Sequence, residues 1–113
     1  MKENNLVDRL FDFSVNVIKF LRTIENNGKT RIMKYQLTKS SSSSGANYEE
    51  AQGAISKPDF NSKVSIALKE MTESNYWLRL LYALEHGDKN ICKLYVQESF
   101  ELKNILGAIY SKV

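Results

Sequence analysis

Cysteine is nearly absent: Cys92 stands alone in 113 residues. No intrachain disulfide can form, and the fold needs no oxidising compartment. With no base paired to it in the sequence, the thiol reads as a small buried hydrophobe rather than a nucleophile. Histidine is as scarce, His86 being the single copy, which leaves the Glu-x-x-His sets of di-metal helical bundles without their imidazoles. Proline occurs once, at Pro58. No apolar run approaches the roughly 20 residues that span a bilayer, and the opening MKENNLVDRLFDF lacks a cleavable signal pattern, so a cytoplasmic protein with no membrane partner is expected. Alternating Val/Ile/Thr segments bounded by turn residues are missing too, which argues against strands. The glycines Gly45 and Gly53 are isolated, so no phosphate-cradling loop is present.

What remains is helical periodicity. Leu6, Leu10, Phe13, Val17, Phe20 and Ile24 form a stripe at spacings of three and four, widened by Val7, Phe11, Ile18 and Leu21. A first helix over about 5–25 follows, with Asn4 or Asn5 as cap and Glu25-Asn26-Asn27-Gly28 as the stop, where Asn and Gly accept a left-handed backbone. Ser56-Lys57-Pro58-Asp59 announces a third helix over 57–85: a serine cap, a proline in the first turn, and an acid placed to reciprocate. Its inward line is Phe60, Val64, Ala67, Met71, Leu78 and Leu81, passing Ser74 and Asn75, with Ile66, Glu70, Glu73, Trp77, Leu80 and Leu84 on the adjacent face. Gly87 stops that helix and Asp88 caps the fourth, over 89–111, with Ile91, Tyr95, Leu102, Ile105 or Leu106, and Ile109 inward.

The contested piece is QLTKSSSSSGANYEEAQGA, residues 36–54. Five serines cost helix propensity, about half a kcal/mol each against alanine, and a flexible linker is the competing reading. A linker would leave two helical fragments near the marginal length. A second helix over about 30–54 is therefore preferred, in which Ser41, Ser44 and Gly45 allow close backbone approach and hydroxyls bond back to the preceding turn. Four helices joined by short connections give one domain over 1–113, an all-α, up-down-up-down, left-handed four-helix bundle.

Chemistry is sparse. Ser44, Asn47, Glu50, Glu70, Glu73 and Arg79 are read as a structural polar cluster, in which a half-buried Glu73 would find its donor in Arg79, a tyrosine hydroxyl or a basic residue of the second helix. Glu98 and Glu101 are expected to pair with lysines of their own helix. No catalytic residue, metal ligand or cofactor site is assigned; Ser40 to Ser44 lack a base to activate them. The net charge of +3 is uneven, with eight Lys/Arg against four Asp/Glu in residues 1–40. Lys19, Arg22, Lys29, Arg31, Lys34 and Lys39 form the best anionic footprint, suited to RNA or DNA through salt-sensitive contacts. No base-reading module accompanies them. Tyr76, Trp77, Leu80 and Leu81 occupy more of a helix circumference than one bundle buries, which leaves Tyr76, Trp77, Leu80 and Leu84 for another surface. They are assigned to an oligomer interface, ahead of the monomer core and of a ligand-facing surface where the rings would stack a base.

The text of the second and third helices, Gln36-Leu37, Ser40, Ser43 or Ser44, Asn47, Glu50 and Gly53, then Phe60, Ala67, Glu70, Glu73, Leu78 and Leu81, resembles the bacterial four-helix bundle family of 23S rRNA intervening-sequence proteins, often labelled S23 ribosomal protein. It is similar as well to the accessory variability proteins of diversity-generating retroelements. The chain differs in its unbroken serine run and in Ala46, where many relatives carry Ile-Pro or Val-Pro before the Asn. The resemblance implies a homopentameric barrel of bundles; relatives of the retroelement type bind a reverse transcriptase and nucleic acid through a basic surface. The function expected is that of a non-enzymatic oligomeric accessory protein binding nucleic acid non-specifically, or else a protein-interaction scaffold.

Overall fold

Each helix begins or ends where a particular side chain or backbone geometry makes it. In the computed structural model, which describes residues 5–112, the elements are α1 (Asn5–Arg22), α2 (Arg31–Ala51), α3 (Lys57–Ala83) and α4 (Lys89–Ser111). Of the two asparagines expected to cap α1, Asn4 lies outside the described residues. The Ser56 hydroxyl accepts from the Asp59 N–H at 3.1 Å, and the Asp59 carboxylate in return accepts from the Ile55 N–H at 3.1 Å, just ahead of the cap. Asp88 caps α4 through the Ile91 N–H at 2.9 Å.

α1 and α2 each stop three residues before their expected ends, because both tighten into i→i+3 turns: Thr23 to Phe20 and Ile24 to Leu21 in one, Gln52, Gly53 and Ala54 to Glu49, Glu50 and Ala51 in the other. The α1 stop does not use the left-handed backbone expected at Asn27-Gly28. Among the described residues positive φ occurs only at Glu85 (60°) and Gly87 (81°), both in the α3–α4 turn. The loop after α1 is instead closed by the buried Thr30, whose hydroxyl donates to the Glu25 carbonyl and accepts from the Asn27 N–H.

Neighbours in sequence are neighbours in space. α2 packs against α1 and α3, α3 against α4, and α4 returns to α1 along a thinner seam; the diagonals do not meet. This is the up-down bundle, and the 27 residues of α3, about 40 Å at 1.5 Å per residue, nearly match its 44 Å long axis. The core is Leu10, Phe13, Val17, Phe20, Leu21 and Ile24 from α1 and its exit; Met33, Leu37, Tyr48 and Ala51 from α2; Val64, Ala67, Met71, Leu78 and Leu81 from α3; and Cys92, Leu102 and Leu106 from α4. Two expectations change. Phe11, meant to broaden the α1 stripe, is 62% exposed, and Ile91, meant to face inward, is 39% exposed. Cys92 takes the inward place at the start of α4, on one line with Ser99, Leu102 and Leu106.

α2 runs through the serines without a break. Its two inner faces are made of small residues. Toward α3, the Ser40 and Ser74 hydroxyls share a hydrogen bond of 2.8 Å and Ser44 donates to the Ala67 carbonyl at 2.7 Å. Toward α1, Ser14 donates to the Ser41 carbonyl at 2.9 Å, and Gly45 lies against Leu10, whose carbonyl and Cβ would be 3.5 Å from an added methyl. Serine thus serves as a residue of near-alanine size that satisfies its own polarity, here against the neighbouring helix as well as the preceding turn.

Candidate functional site

The six residues read as one polar cluster occupy separate contacts. Ser44 is buried and spent on the α3 backbone. Asn47 donates to Ser43, one turn back in its own helix. Glu50 is exposed and pairs with Lys63 of α3 at 3.0 Å. Glu73 accepts from the Trp77 indole N–H at 2.9 Å rather than from Arg79, a tyrosine or α2, because Trp77 sits one turn along the same face. Arg79 donates through Nε to the Asn75 amide oxygen at 2.9 Å, and no side-chain bond is made by Glu70 among the described residues. A continuous polar network does exist one register over: Asn75 passes its own amide hydrogens to the Val96 carbonyl (3.2 Å) and Ser99 hydroxyl (3.0 Å), tying α3 to α4. Ser99 was the missing signal, a serine at an inward position of α4.

Glu98 and Glu101 do not pair within α4. Arg9 of α1 takes both, with Nε and Nη2 on Glu98 at 2.7 and 2.8 Å and Nη2 on Glu101 at 2.7 Å, which raises the guanidinium pKa further through those bonds. Cys92 is fully buried, its thiol 3.4 Å from the Leu78 carbonyl, and burial pushes its pKa up to about 11. A thiol so placed is a poor nucleophile at neutral pH. No group of three His, Cys, Asp or Glu side chains gathers among the described residues, and no helix among them is long and apolar enough to cross a membrane.

The basic set is largely presented outward. Lys19, Arg22, Lys29, Arg31 and Lys39 are exposed, the first four around the end of the bundle where α1 runs into α2 and Lys39 about two turns up α2, and none of them has an ion-pair partner among the described residues. Lys34 differs: half-buried, it donates to the Ile24 carbonyl at 2.6 Å and closes the C-terminal end of α1. On α3, Trp77 and Leu80 pack partly against the core, while Tyr76 and Leu84 are 50% and 52% exposed.

A family model described as 23S rRNA-intervening sequence protein matches residues 2–108. The chain belongs to this family. A crystal structure of a protein of unknown function from the S23 ribosomal protein family of Bacteroides thetaiotaomicron is similar at 33% identity, covering 93% of this chain and 97% of that one with a TM-score of 0.84. No curated protein matches. Neither the intervening-sequence family description nor the solved relative names an enzymatic activity. α2 runs uninterrupted through Ala46, whose amide keeps the donor that a proline would lack.

Proposed function

We propose that this is a non-enzymatic, self-associating cytoplasmic accessory protein that binds nucleic acid non-specifically through the α1–α2 end of the bundle. The observation that carries the reading is the five exposed cations Lys19, Arg22, Lys29, Arg31 and Lys39, unneutralised by any carboxylate within ion-pair distance among the described residues. Arg9, Lys63 and Lys89, by contrast, each hold a glutamate. Unpaired surface cations gain most from phosphate by releasing counterions, and repeating the patch in an oligomer multiplies the gain. Self-association, as the homopentamer implied by the family resemblance, is supported by apolar side chains that one copy leaves in solvent: Phe11, Ile32 and Leu94 are 62%, 64% and 65% exposed.

Binding to structured RNA and single-stranded DNA across a salt series tests the electrostatic part. Affinity is expected to fall linearly with log salt, and Lys29→Gln with Arg31→Gln to flatten the slope by about 0.7 each on single strands. Absence of salt-dependent binding at low ionic strength overturns the proposal. Light scattering tests assembly: Trp77→Ala should lower the particle mass if α3 forms the interface.

A protein-interaction scaffold is the second reading. It is favoured by a groove of about 550 Å³ between α1 and α2, lined by Val7, Phe11, Gly45 and Ala46 and rimmed by Glu49 and Glu50. Recovery of a stoichiometric protein partner after nuclease treatment, with no nucleic-acid binding, would decide for it.

A further inference from the structure

On the side of the bundle away from the α1–α2 hairpin, two half-exposed rings each carry a cation. The Arg79 guanidinium lies 5.7 Å from the Tyr76 ring centroid, and the Lys103 ammonium 4.9 Å from that of Phe100. Arg79, Phe100 and Lys103 line a groove of about 330 Å³ together with Asn75, Val96 and Gln97, while the Tyr76 ring backs Arg79 from outside it. Arg79 is set in place from below: its Nε donates to Asn75, which is buried and fixed by Ser99 and the Val96 carbonyl. Its two terminal nitrogens remain for a ligand. Neither Arg79 nor Lys103 has a carboxylate within ion-pair distance among the described residues. One ring and two unspent charges line one groove.

The chemistry that fits is a ligand with flat faces and regularly spaced anions. An acidic peptide would use the cations and leave the Phe100 ring idle, whereas a nucleotide chain uses both: a base stacks on the aromatic face and phosphates meet Arg and Lys. We propose that the α3–α4 groove binds single-stranded nucleic acid, a base stacking on Phe100 while flanking phosphates meet Lys103 and Arg79. The proposal deepens the nucleic-acid reading given above by adding base contact at a surface separate from the α1–α2 end, and its test distinguishes the two.

The probe is a fluorescent oligothymidylate of about ten nucleotides, followed by anisotropy over a salt series. Phe100→Ala is expected to weaken binding at least about fivefold at every salt concentration without changing the salt slope, since stacking carries no counterions. Lys103→Gln, at the surface and safe for the fold, is expected to flatten the slope by about 0.7. Phe100→Leu keeps apolar bulk and should lose as much as Phe100→Ala with the thermal midpoint held. Wild-type affinity and slope in Phe100→Ala and Lys103→Gln, with loss only in Lys29→Gln/Arg31→Gln, overturns this groove and leaves the α1–α2 end standing. A fall in particle mass in Phe100→Ala assigns the face to a second copy and also overturns it. No binding by the wild-type protein overturns both.

Discussion

Gly87 is held to glycine twice over. Its φ of +81° is unfavourable for a residue with a Cβ, and such a Cβ would stand 2.9 Å from Ile24 Cγ1 and Phe20 Cζ. Gly87→Ala is therefore expected to cost about 2–4 kcal/mol in urea unfolding, the left-handed penalty plus the overpacking of the α1 end. Glu85, two residues earlier, shares the left-handed backbone at φ 60° but offers only an exposed ion pair to Lys89 at 3.5 Å in exchange. Glu85→Gly should raise stability, by up to about 1 kcal/mol, because relief of the backbone outweighs a pair of that kind. Cys92 gives a pH signature. Its thiol pKa is raised from 9.0 to about 11 in the folded state, so the unfolded chain ionises first. The contribution is complete below pH 9 and lost as pH rises through 11. Wild type should lose ground against Cys92→Ala over that window in denaturant midpoints measured side by side.

At the scale of elements, the serine helix makes opposite predictions for adjacent positions. Gly45 faces α1 with ordinary van der Waals room, an added methyl meeting Leu10 at 3.5 Å, so Gly45→Ala should stabilise by about 0.5–1 kcal/mol through helix propensity. Ser44, fully buried with its hydroxyl on the Ala67 carbonyl, has no such slack; Ser44→Val should destabilise by about 1–3 kcal/mol as α2 and α3 are forced apart. Chemical denaturation of the two variants checks both signs. The serine run could be read as helix from the sequence because α3, with its Ser56-Pro58-Asp59 start, demands a partner of matching length. Most of the α4 inward line was legible as well, with Leu102 and Leu106 buried and Tyr95 and Ile109 packed on the core; Ile91 and Ser99 were not, because hydrophobicity alone ranks an exposed isoleucine above a buried serine. The polar cluster failed on the same ground. Spacing places Glu73 and Arg79 on one helix, but only the packed geometry shows that Trp77 and Asn75, each one turn from its partner, claim them first. The basic end was legible because exposure is the default for lysine and arginine. Lys34 is its exception, since the turn that follows α1 places the Ile24 carbonyl within reach of its amine.

For the molecule as a whole, the thin contact between α1 and α4 sets where the bundle opens. α2 and α3 share the longest interface and are stitched by Ser40, Ser44 and the Glu50–Lys63 pair. Across the α1–α4 seam, the polar link is Arg9 with Glu98 and Glu101, and an edge-on contact of Phe20 with Tyr95 at 5.9 Å supplies an aromatic one. A shallow cavity of about 350 Å³, lined by Asp12, Phe13, Asn16 and Leu94, lies along the seam. Low packing density on one side of α1 lowers the free energy of detaching it relative to the global value. Hydrogen exchange should accordingly be fastest in α1 among the helix interiors. Arg9→Gln should raise α1 exchange by roughly fivefold, the effect of about 1 kcal/mol for a forked Arg–carboxylate link at the surface, while the slowest amides of α2 and α3 keep their protection. High salt should reproduce part of that increase in the wild type and little in the variant, because screening acts on the same ion pairs. Uniform acceleration across all four helices would instead mean that the bundle opens as one unit and that the seam has no separate stability.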